Sequence, residues 1–358
     1  MNIGIIITDI TRRAGTERAV SNLSNILANH NNSVYIISID SDSGNGAYEL
    51  INGVSILHLN IGLSAADVIK KIQCYKQLLI AINKIIKEQE LEYIIGTYSS
   101  INVLLPLFNK KVKTIGCEHF NYASANKLHN FLRFVLYRKL DAVVVLTPQD
   151  SKHYSFINRN RLFIIPNSLS FEIMNSHDYN QKCVISIGRL SYQKGFDILI
   201  DVVSRIARKI EDWKFIIVGD GEQKQCLLQK IKSKELDQII TIIPPTDSII
   251  TLYQAASIFL MTSRWEGLPM VLLEAQACGL PIISFDCPEG PASVIHDDKD
   301  GYLIRPFDIE IMANKLLTLI ENRNLREKFG KRAFDSALTY SSENIYNLWY
   351  ALFEEINI

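Results

Sequence analysis

Two glutamates eight residues apart, Glu266 and Glu274, bracket the segment of this chain richest in possible chemistry. An apolar run, Ile258–Thr262, leads into Ser263-Arg264-Trp265-Glu266-Gly267-Leu268-Pro269, and Met270–Cys278 then has helical spacing with Gly279 as its stop. Pro269 suits the first helical position, where its missing N–H costs nothing. The free amides of Gly267, Leu268 and Met270, with the positive end of the helix dipole, would form an anion pocket suited to phosphate. A carboxylate accepts two hydrogen bonds and fits vicinal hydroxyls, so one glutamate can hold a sugar ring and the other a ribose, with phosphates between them. The spacing matches a nucleotide-sugar. It also admits a solvated loop residue at 266 and a helix-surface charge at 274.

A second anion site is offered by Ile187-Gly188-Arg189-Leu190-Ser191-Tyr192-Gln193-Lys194-Gly195, again directly after a β-branched run. Gly188 lets a substrate approach the backbone, while Arg189 and Lys194 supply two cations able to neutralise a diphosphate without a metal. An ordinary surface loop with solvated cations is the alternative. The run Val218-Gly219-Asp220-Gly221-Glu222 lacks the third glycine of a dinucleotide fingerprint, with Lys224 in its place, and no P-loop occurs. Earlier in the chain, Gly15 follows the loop after Ile3–Ile7 and would let a diphosphate or acceptor come close, unless it is a turn glycine with Thr16 as the helix N-cap. Cys117-Glu118-His119 follows another short strand, so His119 is either a hydrogen-bonding group at the site or a structural histidine.

Stepping through the chain, apolar runs at Ile3–Ile7, Val34–Ile39, Tyr93–Ile95, Thr114–Gly116 and Ala142–Leu146 alternate with helical patterns, one of them over Glu17–Ala28. Strands apolar on both faces and separated by helices imply a parallel sheet covered on both sides. A polar stretch from Asn167 to Gln181 interrupts the series. It resumes with Val184–Ile187, Lys214–Val218, Ile239–Ile243, Ile258–Thr262, Pro281–Phe285 and Gly301–Ile304. The expected class is α/β with two doubly wound, Rossmann-like domains, residues 1–170 and residues 181–342. The final helix, about 343–358, is left to pack on either domain, the first being the expected one. Ligands of such sheets bind at the carboxyl ends of strands, and two facing sheets would place that site in a cleft.

The 38 Lys plus Arg balance 38 Asp plus Glu, which speaks against a nucleic-acid binder. At 47% hydrophobic residues the chain can fill large cores. Its six cysteines form neither a C-x-x-C pair nor a zinc-type cluster and read as buried hydrophobes of a reducing cytoplasm. No signal peptide and no membrane-spanning run is expected. In Lys127–Leu140 a core-type stripe of Leu128, Phe131, Leu132 and Val135 leaves Phe134 and Tyr137 outside it, beside Lys127 and Arg138. Those two aromatics suit an interfacial helix at a membrane surface, and a helix buried on two sides is the alternative.

Gly15-Thr16-Glu17-Arg18, Glu118-His119, GRLSYQKGFDILI (188–200), IVGDGE (217–222) and SRWEGLPMVLLEAQACGLPIISFDC (263–287) together resemble the GT-B glycosyltransferases of family 4. The last run carries that family's E-x7-E as Glu266 and Glu274. The likeness covers essentially the whole chain and is strongest from Cys183 to Pro306. It departs where Ala14 stands before Gly15, because the family usually has two adjacent glycines there.

The resemblance implies a retaining, metal-independent transferase that needs no cofactor, since the nucleotide-sugar is a substrate. It implies that Arg189 and Lys194 bind the donor diphosphate, that Glu274 holds the ribose hydroxyls, and that Glu266 with the amides of Gly267 and Leu268 contacts donor sugar and diphosphate. Gly15 would form the first-domain wall of the donor site, and His119 would stand near the donor sugar at the reaction centre. A bacterial surface-polysaccharide enzyme is implied, with a UDP-sugar donor, a lipid-linked glycan acceptor and a place at the inner face of the cell membrane. The rivals are a nucleotide-sugar epimerase and a non-catalytic two-lobed nucleotide-sugar-binding protein.

Overall fold

The β-branched runs form two parallel sheets in a computed structural model that describes residues 1–63, 68–119, 122, 126–169, 171, 177–210, 212–246, 248–288 and 290–357. The first sheet contains β1 (Asn2–Ile7), β2 (Ser33–Ser38), β3 (Val54–His58), β4 (Tyr93–Gly96), β5 (Lys113–Glu118), β6 (Ala142–Val145) and β7 (Leu162–Ile164), in the order β3-β2-β1-β4-β5-β6-β7. The second contains β8 (Cys183–Ile187), β9 (Lys214–Val218), β10 (Ile240–Ile243), β11 (Ile258–Met261), β12 (Ile282–Phe285) and β13 (Gly301–Ile304), in the order β10-β9-β8-β11-β12-β13. In each the direction of winding reverses beside the first strand: β1 lies between β2 and β4, and β8 between β9 and β11. The loops leaving β1 and β8 therefore open at the switch point, where doubly wound sheets take their ligands.

Two compact units result, one of Met1–Ser170 with Ser342–Ile358 and the other of Phe171–Ser341. Residues 170 and 172–176 of the expected linker lie outside the described residues. In the first unit the period of two sends Ile3, Ile5 and Ile7 to one face of β1 and Ile6 to the other. The first face meets helix Gly15–Asn29 through Val20 and Leu27, together with the final helix Ser342–Asn357 through Ile345, Trp349, Leu352 and Phe353. Burying such side chains contributes about 1.5–3 kcal/mol each, which is what ties the chain's last helix to its first sheet.

Several local expectations change. Strands β3 and β7 are edge strands, half-exposed and, for β7, only three residues long, so neither gives a strong apolar signal. The first helix begins at Gly15, with Ala14 in an extended conformation as its N-cap, so Thr16 lies inside the first turn and is not the cap. Pro269 likewise caps helix Met270–Ala277 from outside, one residue before the first helical position.

Helix Lys127–Leu136 departs in part from its expected face. Phe134 is exposed and Leu132 half-buried as expected, but Tyr137 is buried and Leu128, Phe131 and Val135 of the core-type stripe are exposed. The cause is Arg133 on its inner side, whose guanidinium reaches the Glu118 carboxylate at 3.0 Å with both side chains buried. A buried carboxylate has to be paired, and that pairing outweighs the apolar stripe in choosing the face.

All six cysteines are free thiols; Cys226 is exposed and Cys183 half-buried, so only the other four are buried as expected. Among the described residues no helix is long and apolar enough to cross a membrane.

Candidate functional site

The loop leaving β8 owes its shape to glycine. It ends in a 3-10 turn, Tyr192–Lys194, closed by Gly195 in the left-handed region at φ 64°, and a Cβ there would collide with the Thr262 carbonyl oxygen. Thr262 completes the join by donating its hydroxyl to the Gly195 carbonyl at 2.8 Å. Loop 188–195 is thus pressed against the end of β11, where the segment carrying Glu266 begins.

Further bonds stitch the two loops together. The Arg264 amide donates to the Gln193 carbonyl at 2.8 Å, and the Gln193 side-chain amide donates to the Trp265 carbonyl at 3.0 Å. The Arg264 guanidinium grips the Asp197 carboxylate with two bonds, 2.9 and 2.7 Å, and lies 3.8 Å from the centre of the Tyr192 ring. Burial alone would raise the Asp197 carboxyl, but the paired Arg264 overrides it and holds it below its ordinary range.

Within this frame Lys194 Nζ stands 2.7 Å from Glu266 Oε1, which also accepts from the Ser263 hydroxyl at 2.6 Å. Glu266 is only 6% exposed, so it is not the solvated loop residue that spacing admitted. Its Oε2 takes no hydrogen-bond partner among the described residues. The ammonium has three donors and the pair uses one, leaving donors that an anion could take. The Lys194 stem passes over Gly188, with Cγ, Cδ and Cε 3.2–3.3 Å from where a Cβ would stand, so a side chain there would crowd it. Arg189, on the same loop, is exposed and takes no ion-pair partner among the described residues.

Helix Met270–Ala277 starts directly after this pair with no side-chain cap. The amides of Gly267 and Leu268 find no acceptor among the described residues, so they and the positive end of the helix dipole remain available to an anion. Glu274 lies inside the helix, fully buried, and its Oε2 accepts from the Tyr253 hydroxyl at 2.9 Å. It is therefore no helix-surface charge.

Lys194, Glu266, Gly267 and Leu268 are thus brought together, with Arg189 earlier on the loop of Lys194 and Glu274 a turn into the helix. A cation fixed by a buried carboxylate beside unspent amides can stabilise a pyrophosphate and a hydroxyl-bearing ring. The second unit's large cavity, about 900 Å³ lined by His177, Tyr179, Gly279, Arg323 and Glu327 among others, includes none of these residues. Among the described residues no group of three His, Cys, Asp or Glu side chains is placed to hold a metal ion.

The first unit holds the other two expected residues. Gly15 opens the helix after β1, and a Cβ built on it meets nothing within 4 Å. Neither packing nor a positive φ demands glycine there, so its smallness leaves open approach. His119 follows β5 and lines a cavity of about 20 Å³ with Thr97, Cys117, Ser168 and Trp349. Burial pushes its imidazolium down to about 4, so the ring is neutral at physiological pH. Its neighbour Glu118 is held by Arg133, by the Asn102 amide at 2.9 Å and by the Tyr137 hydroxyl. Burial first, then the Glu118 charge, pushes the Tyr137 phenol up, which keeps it a donor.

Sequence reading missed Ser263, Tyr253, Asp197 and Arg264 as supports. Asp197 and Arg264 are 67 positions apart, and only the folded loops bring them together.

The family described as glycosyl transferases group 1 has a model that matches residues 171–336, the second unit almost entirely. The amylovoran biosynthesis glycosyltransferase AmsD of Erwinia amylovora is 32% identical over 361 residues, covering 96% of this chain and 97% of its own. An alpha-1,4-N-acetyl-D-galactosaminyltransferase of Campylobacter jejuni is 28% identical over 362 residues, 99% of each chain. Among solved structures, a mutant of S. aureus TarM superposes with a TM-score of 0.82 at 17% identity, over 98% of this chain and 99% of that one. The two Rossmann-like sheets thus have the GT-B fold. The chain belongs to the group 1 glycosyl transferases, and its relatives include bacterial glycosyltransferases, one of them named for amylovoran biosynthesis.

Proposed function

We propose that this enzyme moves a sugar, with retention of anomeric configuration, from a UDP-sugar to a lipid-linked glycan in bacterial surface-polysaccharide assembly. The observation that carries the donor half is the 2.7 Å pair of Lys194 and Glu266 beside the free amides of Gly267 and Leu268. As the anomeric C–O bond breaks, negative charge gathers on the departing diphosphate. Lys194, held by Glu266, and the helix-end amides meet it already in position, and Arg189 adds a second cation from the loop that carries Lys194, with no metal required. Glu266 keeps Lys194 in place, while its free Oε2 accepts from a donor-sugar hydroxyl. Glu274 takes the ribose hydroxyls. Neutral His119 hydrogen-bonds the donor sugar, and Gly15 leaves the diphosphate room on the first unit.

UDP is favoured because UDP appears in complexes of several proteins of this fold, including TarM and a pneumococcal O-GlcNAc transferase. Retention is favoured because relatives are named for alpha linkages, and a sugar alpha-linked to its nucleotide keeps that configuration on retention. A lipid-linked acceptor is favoured because the Campylobacter relative is named for a glycan on PP-undecaprenol. An epimerase and a non-catalytic binder are both disfavoured, because the relatives are named transferases.

The test is thermal-shift binding across a panel of nucleotide sugars, then mass spectrometry of products formed on lipid-linked glycans. A single preferred UDP-sugar and an acceptor lengthened by one residue are expected. Turnover of the donor with no acceptor present would favour the epimerase.

A further inference from the structure

His119 has to be held by the chain on either side of it. Its Nδ1 is buried with no hydrogen-bond partner among the described residues, so that nitrogen does nothing to orient the ring. Both flanks are instead tied to one guanidinium. Arg133 donates to the Glu118 carboxylate at 3.0 Å, one residue before the histidine, and to the Tyr122 carbonyl at 3.3 Å, three residues after it. The same guanidinium donates to the Asn130 side chain at 3.2 Å and lies 5.0 Å from the centre of the Tyr122 ring. Glu118 is fixed in turn by the Tyr137 hydroxyl and by the Asn102 side-chain amide, which also donates to the Cys117 carbonyl at 3.0 Å. Glu118, Arg133, Tyr137 and Asn102 are all buried.

Such an arrangement costs stability. A buried ion pair rarely recovers its desolvation in full, and apolar side chains in its place are often as stable or more so. Here the pair also leaves Leu128, Phe131, Phe134 and Val135 exposed to water on the same helix. Stability is given up in this way where geometry is needed, and the residue between the two tied points is His119. We infer that Arg133, Glu118 and Tyr137 are positioning residues for the transfer reaction: they clamp the chain before and after His119 and so set where its imidazole stands. The inference rests on the proposed place of His119 at the donor sugar and names what holds it there.

The test is a double-mutant cycle in the full chain, read as kcat and donor KM for UDP release from the preferred UDP-sugar. Tyr137→Phe removes one bond to Glu118 and keeps the ring. Arg133→Lys keeps the charge beside Glu118 but gives up the guanidinium fork that reaches both Glu118 and Tyr122. Each is expected to lower kcat about tenfold or more with a smaller change in KM, because a small misplacement at the reacting centre is felt in the barrier. Neither should lower kcat further once His119→Ala is present, since no imidazole is then left to place. Equal losses with and without His119 would make the network structural only and overturn the inference. So would a parental kcat in either single variant while His119→Ala is impaired. A parental kcat in His119→Ala would instead end the reading that puts this histidine at the donor sugar, and the inference with it.

Discussion

The loops that leave β8 and β1 hold the same topological place in two sheets of the same winding, yet they are built in opposite ways. After β8 the backbone is locked: Gly195 is left-handed against the Thr262 carbonyl, the Gly188 carbonyl leaves no room for a Cβ on Gly219, and Arg264 clamps Asp197. After β1, Gly15 has an ordinary φ and open space where a side chain would stand. Rigidity is concentrated where charges have to be fixed before a ligand arrives. Smallness without rigidity is what the proposed role of Gly15 requires, since a ligand there would need only room.

Substitutions at the two loops test that contrast. The largest effect is expected from Lys194→Ala, which should lower turnover about 10²–10³-fold, or ~3–4 kcal/mol in the barrier, with the fold intact. Near-normal turnover in steady-state kinetics would remove Lys194 from the site. Gly195→Ala comes next: a strained left-handed residue pushed into a carbonyl should cost about 2–4 kcal/mol of unfolding free energy in urea titration. A cost under about 1 kcal/mol would mean that the loop gives way and is not locked.

The pH dependence of stability is a third effect. The His119 imidazole ordinarily titrates near 6.5 and is pushed down to about 4 by burial, so the unfolded chain binds a proton that the folded chain refuses between those values. Stability should therefore fall as pH drops from about 6.5 towards 4, by ~1–3 kcal/mol, and His119→Asn should flatten that fall. An unchanged pH profile in the variant would place the titration elsewhere. The smallest change in stability belongs to Gly15→Ala, within about 0.5 kcal/mol of the parent or slightly above it, because alanine is the better helix residue and meets no neighbour. Its donor KM should nonetheless rise. A wild-type KM would show that the open space there is not used.

Local signals were legible in the sequence because their chemistry is local. The GRLSYQKG and WEGLP runs name their strand ends, their glycines and their charges, and the alternation of apolar runs gave the two doubly wound units. What escaped reading depends on distant residues. The Lys194 ammonium and the Glu266 carboxylate are 72 positions apart and become partners only because Gly195 fits beneath Thr262. The face of helix Lys127–Leu136 turns on one buried ion pair, Arg133 with Glu118, which outweighs the apolar Leu128, Phe131 and Val135. Strands β3 and β7 lacked the two-sided burial that makes a strand visible in sequence.

The central claim is that fixed positive charge on the second unit grips the donor's pyrophosphate. Calorimetric titration of UDP into the full chain with excess EDTA tests it most directly, comparing the parent with Lys194→Ala and Arg189→Ala. Binding that survives chelation and weakens about tenfold or more in each variant is the expected result. UDP affinity that vanishes with EDTA, or that is indifferent to both substitutions, would contradict the account.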